Sequence, residues 1–288
     1  MFTFENLGVK QNLARILGHG ALKDSGRLFI YAIDQGFEMG PGVAFSPNPD
    51  AYDPAYHFQF ALEAGASAIA GCLGFLQTGV QNFLGKVPMI LKINSGNRLM
   101  NKERNAPFQA ITASVQQALQ LGCVGIGFTI YPGSDASLEM YSQLQKIAEE
   151  AKSYGLFVVV WSYPRGNMKY ERALDVIAYG THIASLMGAN IIKVKVPEGI
   201  IDSQHEVYQN IPYASKKERI QHIMQTAFHH KRLVLFSGEA LKDEDDFIDD
   251  IHAVKEGGGT GSIIGRNLFQ RPYQKALALA KDITDILK

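Results

Sequence analysis

Eight short apolar runs alternate along the chain with longer segments of helical spacing, and this alternation limits the folds that the chain can adopt. The runs occupy residues 27–34, 66–71, 87–94, 123–131, 156–163, 190–197, 232–238 and 261–266. Each run is almost wholly apolar, which is typical of parallel strands covered on both faces. Several helical segments end at a glycine directly before the next run, at Gly65, Gly122, Gly155 and Gly188. A glycine there can take the positive φ that ends a helix, so the pattern predicts repeated β/α units.

The number of repeats favours one of two architectures. Eight strands, each followed by a helix, match the (β/α)8 TIM barrel in count and length. A doubly wound sheet shares the local pattern and is the alternative, but its nucleotide-binding forms carry a glycine fingerprint after the first strand. The glycine-rich stretch at 257–261 precedes a strand instead. We therefore expect an α/β TIM barrel that forms a single domain over residues 1–288. The helical pattern at 6–17 should cover the N-terminal end of the barrel.

Charge and composition exclude several classes of function. The chain of 288 residues carries 28 basic and 28 acidic side chains, so no net charge attracts nucleic acid or a membrane surface. No apolar stretch approaches the ~20 residues that span a bilayer, and the N-terminus lacks the features of a signal peptide. The cysteines, Cys72 and Cys123, lie in apolar runs and are expected to be core residues rather than a disulfide. We expect a cytoplasmic protein with neither nucleic-acid nor membrane partners.

Polar residues collect at one end of the apolar runs. The runs end at Asp34, Cys72, Asn94, Tyr131, Tyr163, Lys193 with Lys195, Ser237 and Arg266. Their opposite ends begin mostly with apolar or small residues. In a TIM barrel the chemistry lies where strands end and βα loops begin. The asymmetry therefore predicts a functional site at the carboxyl end of the barrel.

Two lysines in the sixth run, Lys193 and Lys195 of "NIIKVKVP", are unusual in a buried strand. Residues two apart on a strand share a face, so both side chains point the same way if the strand is regular. Burial disfavours the ammonium form, and a neutral amine can attack a carbonyl group to form a Schiff base. The alternatives are that both lysines reach solvent at the strand end, or that one pairs with Asp34 in a structural ion pair.

The fifth run ends in "VVVWSYPRG", where Trp161, Tyr163 and Arg165 alternate. Pro164 restricts Tyr163 to an extended conformation. A phenol at this position can move a proton to or from a substrate hydroxyl group. The alternative is an aromatic plug with a surface arginine.

A phosphate site is predicted at the ends of the seventh and eighth runs. Ser237 and Gly238 allow close approach of the backbone, while Gly265 and Arg266 open the last helical region. Barrels often bind phosphate at this position through backbone N–H groups and an arginine. The alternative is a glycine turn with an exposed arginine.

Metal and cofactor motifs are missing from the sequence. The eight histidines show no spacing that resembles a catalytic metal site. The acidic run at 242–250 fits the solvated N-terminal turn of a helix. We therefore expect a site without metal or cofactor.

These residues and motifs resemble the archaeal-type class I fructose-bisphosphate aldolases, the branch shared by archaea and many bacteria. The resemblance runs from about residue 28 to 270 and rests on the order and strand placement of its segments. These segments are "AIDQGFEMGPG", "LKIN", "GFTIYPGSD", "VVWSYPRG", "NIIKVK", "SGE" and "IIGRNLFQRP". The resemblance implies a TIM barrel that cleaves fructose 1,6-bisphosphate reversibly to dihydroxyacetone phosphate and glyceraldehyde 3-phosphate, through a Schiff base and without metal. It also implies a phosphorylated sugar as substrate and assembly into homo-oligomers.

The resemblance assigns roles to individual residues. It implies that Lys193, rather than Lys195, forms the Schiff base, that Tyr163 is the acid/base residue and that Asp34 contacts Lys193 and the carbinolamine. Lys195 is a candidate modulator of the pKa of Lys193. The remaining matched positions line the substrate pocket or bind phosphate: Trp161, Arg165, Ser237, Gly238, Gly265 and Arg266.

The chain departs from the family pattern at two positions. Many members have a histidine where this chain has Gln35, and many have a second glycine where it has Glu239. Both departures bear on substrate preference. Two other functions therefore stay open: a related barrel lyase or transferase acting on another phosphorylated ketose, and a barrel that binds sugar phosphate without catalysis.

Overall fold

Eight parallel strands close into a barrel in the computed structural model, which describes residues 4–99, 106–203, 206–237 and 241–288. The strands are β1 (Leu28–Ile33), β2 (Ala68–Gly71), β3 (Met89–Lys92), β4 (Gly125–Ile130), β5 (Phe157–Ser162), β6 (Ile191–Lys195), β7 (Leu233–Ser237) and β8 (Gly261–Ile264). Each strand pairs with the next one along the chain, and β8 pairs with β1. The TIM-barrel prediction is confirmed, and every barrel strand lies within one of the predicted runs.

The helices surround this barrel. They are α1 (Leu7–Leu17), α2 (Gln35–Met39), α3 (Pro41–Phe45), α4 (Pro54–Glu63), α5 (Leu73–Gly79), α6 (Val115–Gln120), α7 (Ser137–Ser153), α8 (Leu174–Leu186), α9 (Lys216–Thr226), α10 (Glu244–Glu256), α11 (Arg266–Phe269) and α12 (Tyr273–Leu287). Short 3₁₀ helices occupy Pro49–Tyr52, Val80–Asn82 and Glu206–Asn210, and Asn94–Ser95 pairs antiparallel with Ala110–Ile111. Gly122 and Gly155, which follow α6 and α7, have φ values of 69° and 81°, as their predicted role in ending a helix requires.

Alternate residues of each strand face two separate cores. One face packs against the surrounding helices in the larger apolar cluster. The other face fills the interior of the barrel, with members such as Ile30, Ile90, Val159, Ile191 and Leu235. Because side chains alternate along a strand, this interior series fixes which later residues point into the mouth of the barrel.

Helix α1 closes the N-terminal end of the barrel, as predicted. Its buried face, Val9, Leu13 and Ile16, belongs to the interior cluster of the strands. A Cβ on Gly8 would lie 2.8 Å from the Cα of Gly155, so the absence of a side chain lets α1 approach the start of β5. The opposite, carboxyl end is therefore the one open to a substrate.

Two further predictions concern the surroundings of the barrel. In the described ranges no helix is long and apolar enough to cross a membrane. Both cysteines are unpaired, as expected, but only Cys123 is a core residue. Cys72 is half-buried because it follows the end of β2 and precedes α5, at the edge of the open end.

Candidate active site

The interior series of the strands changes from apolar to polar as it leaves the barrel. Residues two positions beyond the interior core continue to face the same side. They include Asp34 after Ala32, Lys92 after Ile90, Tyr163 after Trp161, Lys193 and Lys195 after Ile191, Ser237 after Leu235 and Gly265 after Ile263. The fold therefore places most of the predicted site residues on one apolar floor.

Lys193 is enclosed in this mouth. Its side chain is 5% exposed, and its Nζ lies 5.6 Å from the ring centroid of Trp161 and 5.8 Å from that of Tyr163. Burial lowers the pKa of Lys193 to about 8, against the opposing charges of Asp34 and Glu38. In the described part of the chain no carboxylate lies within ion-pair distance of its Nζ. The alternative that Lys193 reaches solvent is wrong.

Lys195 lies nearer to the rim on the same face. It is 9% exposed, and its Nζ is 3.7 Å from Oε2 of Glu171 and 5.9 Å from the ring centroid of Tyr163. The two lysines thus share a direction but differ in surroundings, because Lys195 has a carboxylate beside it. Its role as a modulator of the pKa of Lys193 stays a prediction.

Asp34 is paired with a lysine that we did not predict. Its Oδ2 lies 3.2 Å from Nζ of Lys92, whose side chain is buried. Burial of the Asp34 carboxyl opposes ionisation, but the charges of Lys92 and Lys193 outweigh it and hold the pKa of Asp34 below its usual value. The alternative that Lys193 or Lys195 forms the ion pair with Asp34 is therefore wrong. A lysine inside an apolar run was the signal used for Lys193, and it applies equally to Lys92 in "VPMILKIN".

Trp161 forms the floor beneath both buried lysines. It is 1% exposed, and Nζ of Lys92 lies 5.0 Å from its ring centroid. Gly127 on β4 makes room for this ring, since a Cβ there would lie 2.4 Å from Cζ3 of Trp161. The indole Nε1 is buried and has no hydrogen-bond partner among the described residues.

Tyr163 presents a neutral phenol to the site. Burial raises its pKa well above the usual value, and the charge of Asp34 raises it further, although a hydrogen bond with Ser237 has the opposite effect. The Ser237 hydroxyl also donates to the carbonyl of Val194 at 3.4 Å. A neutral phenol beside a lysine and a carboxylate can donate a proton, which the interpretation of Tyr163 as a simple aromatic plug does not provide.

Arg165 forms part of the wall of the mouth. Its Nη2 lies 3.3 Å from Oε1 of Glu38, and its Nη1 lies 3.3 Å from the phenol oxygen of Tyr131. Gln109 donates to the same phenol at 2.5 Å. Arg165 is half-buried, and the carboxylate of Glu38 balances its positive charge at the rim.

The predicted phosphate residues lie on the opposite side of the mouth. Ser237 ends β7, and Gly265 precedes the short helix that starts at Arg266. A Cβ on Gly265 would lie 2.5 Å from the carbonyl oxygen of Ala32 and 2.7 Å from Nε2 of Gln35, so only glycine allows this approach. The positive charge of Arg266 disfavours the ammonium form of Lys193 and so contributes to its lowered pKa. Gly238, together with Glu239, lies outside the described residues.

The sequence is similar to those of known proteins over most of its length. A model of the DeoC/LacD aldolase family matches residues 28–271. A class 1 fructose-bisphosphate aldolase from Thermoproteus tenax is 33% identical over 91% of this chain and 90% of that protein. A probable class 1 fructose-bisphosphate aldolase from Chlamydia muridarum is 30% identical over 98% of this chain and 85% of that protein.

A solved structure shows the same likeness in three dimensions. It is an archaeal fructose-1,6-bisphosphate aldolase with its catalytic lysine bound covalently to the carbinolamine intermediate of the substrate. It has a TM-score of 0.80 and 30% identity, and the match covers 97% of this chain and 99% of that one. The resemblance found in the strand-end motifs is confirmed. The chain therefore belongs to the DeoC/LacD family of aldolases and groups with the class 1 fructose-bisphosphate aldolases of archaea and bacteria.

Proposed function

We propose that this aldolase cleaves fructose 1,6-bisphosphate reversibly to dihydroxyacetone phosphate and glyceraldehyde 3-phosphate, by a class I mechanism in which Lys193 forms the Schiff base. The observation that carries the proposal is the state of Lys193. Its amine is buried on an indole ring, has a pKa lowered to about 8 and stands beside a phenol and an ionised carboxylate. An amine of this kind is a nucleophile near neutral pH.

The first half of the reaction joins Lys193 to the substrate. The neutral amine attacks C2 of the ketose and forms a C–N bond, and a proton then passes from the new ammonium nitrogen to the former carbonyl oxygen to give the neutral carbinolamine. Tyr163 then protonates the carbinolamine hydroxyl, which leaves as water and produces a protonated imine. Asp34 stabilises the positive charge on nitrogen, first in the ammonium adduct and then in the protonated imine, because its own carboxyl stays ionised beside Lys92 and Lys193.

The second half breaks the carbon skeleton. The phenolate of Tyr163 takes the proton of the C4 hydroxyl, and C4 becomes the carbonyl carbon of glyceraldehyde 3-phosphate. The electron pair of the C3–C4 bond moves to the iminium nitrogen and forms an enamine on Lys193. Protonation at C3 and hydrolysis of the imine release dihydroxyacetone phosphate and restore the amine. The imine thus serves as the electron sink of the cleavage.

Phosphate binding positions the ketone against the amine. We propose that Ser237, Gly265 and Arg266, together with Gly238, hold the C1 phosphate, and that Arg165 contacts the substrate at the rim. The charge of Arg266 and the close backbone approach at Gly265 support this assignment. Fixing the phosphate converts the attack of Lys193 on C2 into a step within one complex, which lowers its barrier.

Borohydride trapping tests the Schiff base directly. The protein is incubated with dihydroxyacetone phosphate, reduced with borohydride, and examined by intact mass and peptide mapping. We expect a stable adduct on Lys193 that the Lys193→Met variant lacks. Lys195→Met is the matched control on the same strand face, and it should retain the adduct. An adduct on Lys195 would move the nucleophile, and phosphate binding without any adduct would favour a non-catalytic binding protein.

The substrate is tested separately from the lysine chemistry. Fructose 1,6-bisphosphate cleavage is measured by coupled detection of glyceraldehyde 3-phosphate, and a series of aldehyde acceptors is screened in the synthetic direction. Turnover with fructose 1,6-bisphosphate above that with other phosphorylated ketoses is the expected result. A preference for another ketose would keep the Schiff base and change the substrate.

Location, assembly and domain organisation are further parts of the proposal. Both cysteines are unpaired, which supports a reducing cytoplasm. We also propose a homo-oligomer of one-domain subunits spanning residues 1–288. Light scattering coupled to size exclusion measures the mass, and a mass of 31.7 kDa would contradict the oligomer.

A further inference from the structure

We propose that Lys92 is a positioning residue of the aldolase site: it holds the carboxylate of Asp34 in an ion pair and thereby leaves the amine of Lys193 without one. Lys92 would not touch the substrate. It would act on the reaction by setting how much of Lys193 is available as a nucleophile. This inference rests on the proposed function, because it requires Lys193 to be the Schiff-base lysine.

The geometry separates the two lysines around one carboxylate. Nζ of Lys92 lies 3.2 Å from Oδ2 of Asp34, and the Lys92 side chain is only 5% exposed. Lys193 influences Asp34 through its charge, but within the described residues the ion pair of Asp34 is with Lys92. Both ammonium groups lie over the ring of Trp161, at 5.0 Å and 5.6 Å from its centroid.

Strand β4 provides the room for this arrangement. Gly127 pairs directly with Lys92 in the barrel, and a Cβ on it would lie 3.3 Å from Cδ of Lys92 and 2.4 Å from Cζ3 of Trp161. The missing side chain lets Lys92 extend over the indole and reach Asp34, which follows β1, two strands away in the barrel. A buried lysine fixed in this manner costs desolvation free energy, which the ion pair and the indole face offset in part.

The charged and titratable groups around Lys193 come from every side of the mouth. They are Asp34 after β1, Glu38 on α2, Lys92 on β3, Tyr163 after β5, Lys195 with Glu171 at the rim, and Arg266 on α11. Glu38 is paired with Arg165, and Glu171 lies beside Lys195. Asp34 is therefore the carboxylate whose partner decides the state of Lys193.

Removing the charge of Lys92 changes that partner. The carboxylate of Asp34 would then have Lys193 as its nearest buried cation, and an ion pair stabilises the ammonium form of lysine. The fraction of Lys193 present as amine would fall, and attack on the ketone would slow. A purely structural role makes a different prediction, because a side chain of similar length and shape would preserve both the packing and the rate.

The test measures the rate of borohydride-trapped adduct formation with dihydroxyacetone phosphate as a function of pH. Lys92→Met keeps the length of the side chain on the indole and removes the charge. We expect the acid limb of its rate profile to shift upward by about one pH unit, so that trapping at pH 7 is about tenfold slower. Lys92→Arg keeps the charge and should retain the native limb.

Two comparisons isolate the effect. Lys86→Met is the matched control, because the Lys86 ammonium also lies over an aromatic ring, 5.6 Å from the centroid of Phe83, but on the exposed surface away from the site. It should leave the profile unchanged. In an Asp34→Asn background, Lys92→Met should shift the limb by less than half as much, since the carboxylate that it releases is gone. If Lys92→Met fails to fold, Lys92→Gln replaces it in the same comparison.

The outcomes separate this inference from the proposed function. Native protein that yields no adduct on Lys193 would overturn the proposed function itself. A native adduct with an unshifted limb in Lys92→Met would overturn only the role of Lys92. A shift of the same size in Lys92→Arg, or in the Asp34→Asn background, would also contradict the inference, because neither result follows from the release of Asp34.

Discussion

At the scale of single residues, the site depends on which buried groups are charged. Burial favours the neutral form of Lys193, whereas two lysines keep Asp34 ionised. Tyr163 keeps its proton because both burial and the charge of Asp34 oppose the phenolate. One amine, one carboxylate and one neutral phenol then share a small apolar floor, which is the set that imine chemistry requires.

Replacement of Tyr163 by phenylalanine tests the proton transfer. The variant keeps the ring near Lys193 and Lys195 and removes only the hydroxyl, so the fold should be preserved. We expect kcat for fructose 1,6-bisphosphate cleavage to fall by about 10²–10⁴, the usual contribution of a general acid or base. Steady-state kinetics measures the loss, and thermal unfolding checks the fold.

Tyr131→Phe is the control for that variant. Tyr131 is also a buried tyrosine of the mouth, but its hydroxyl bonds to Gln109 and Arg165 in the wall. Its loss should reduce kcat far less. Equal losses in the two variants would contradict the assignment of the proton to Tyr163.

Sequence reasoning located Lys193, Tyr163 and Asp34 because each lies at the carboxyl end of an apolar run. It missed Lys92 because the third apolar run continues to Asn94, which was taken as the strand end. Asn94 is structural: its amide donates to the carbonyl of Thr129 at 2.8 Å and accepts from the N–H of Thr129 at 2.7 Å. Strand β3 ends at Lys92, and only the closed barrel shows that this lysine reaches Asp34.

At the scale of elements, β4 has glycines at two interior positions, which leaves room in the barrel for the side chains of the neighbouring strand. Gly125 and Gly127 face the interior, and a Cβ on either would lie 2.4 Å from a ring atom, of Phe157 and Trp161 respectively. Gly127→Ala should therefore displace the floor on which both lysines rest. We expect it to destabilise the protein by about 1–3 kcal/mol and to lower kcat of the folded protein, as measured by urea unfolding and steady-state kinetics.

Gly125→Ala separates stability from activity. It introduces the same methyl group on the same strand face, one interior layer deeper, where Phe157 rather than Trp161 must move. The loss of stability should be similar, while kcat of the folded protein should stay near the native value. If both variants lose activity alike, the placement of Trp161 is not what Gly127 provides.

The helices and strands followed well from the sequence, with one exception. The long helices and the barrel strands matched the apolar periodicities, because both are stabilised by broad buried faces. The antiparallel pair Asn94–Ser95 with Ala110–Ile111 was not predicted. Strands of two residues carry no periodic signal, so their pairing depends on contacts across the loop rather than on local pattern.

At the scale of the whole molecule, barrel closure brings together residues that are far apart in the chain. Asp34 after β1 pairs with Lys92 on β3, Trp161 on β5 lies beneath, and Lys193 comes from β6, the strand next to that of Trp161. The other end is closed by α1, so the site has one open side. The sequence predicts the barrel and the rim, but the ion pair between Asp34 and Lys92 depends on strand register and on the reach of the lysine side chain.

Acid stability tests a buried group outside the site. His57 is fully buried, its Nδ1 accepts from the hydroxyl of Tyr31 at 2.9 Å and its Nε2 donates to the carbonyl of Ala51 at 2.8 Å. Burial lowers its pKa to about 4 from an ordinary value of 6.5. Above pH 6.5 His57 is neutral in both the folded and the unfolded chain, so it adds no pH dependence to the free energy of unfolding. Between pH 6.5 and pH 4 the unfolded chain binds a proton at His57 and the folded chain does not. The free energy of unfolding therefore decreases as the pH is lowered through this range, in total by roughly 3 kcal/mol.

The His57→Gln variant isolates this contribution from the carboxylates that titrate in the same range. It loses the ring packing, so it should be less stable than the native protein at pH 7, but its stability should fall less steeply between pH 6.5 and 4. Urea unfolding at a series of pH values gives the difference in free energy of unfolding between the two proteins. That difference should narrow by up to roughly 3 kcal/mol on acidification, because only the native sequence has a histidine here that takes up a proton when the chain unfolds. A constant difference would mean that His57 titrates alike in the folded and unfolded chain, and that burial does not hold it neutral.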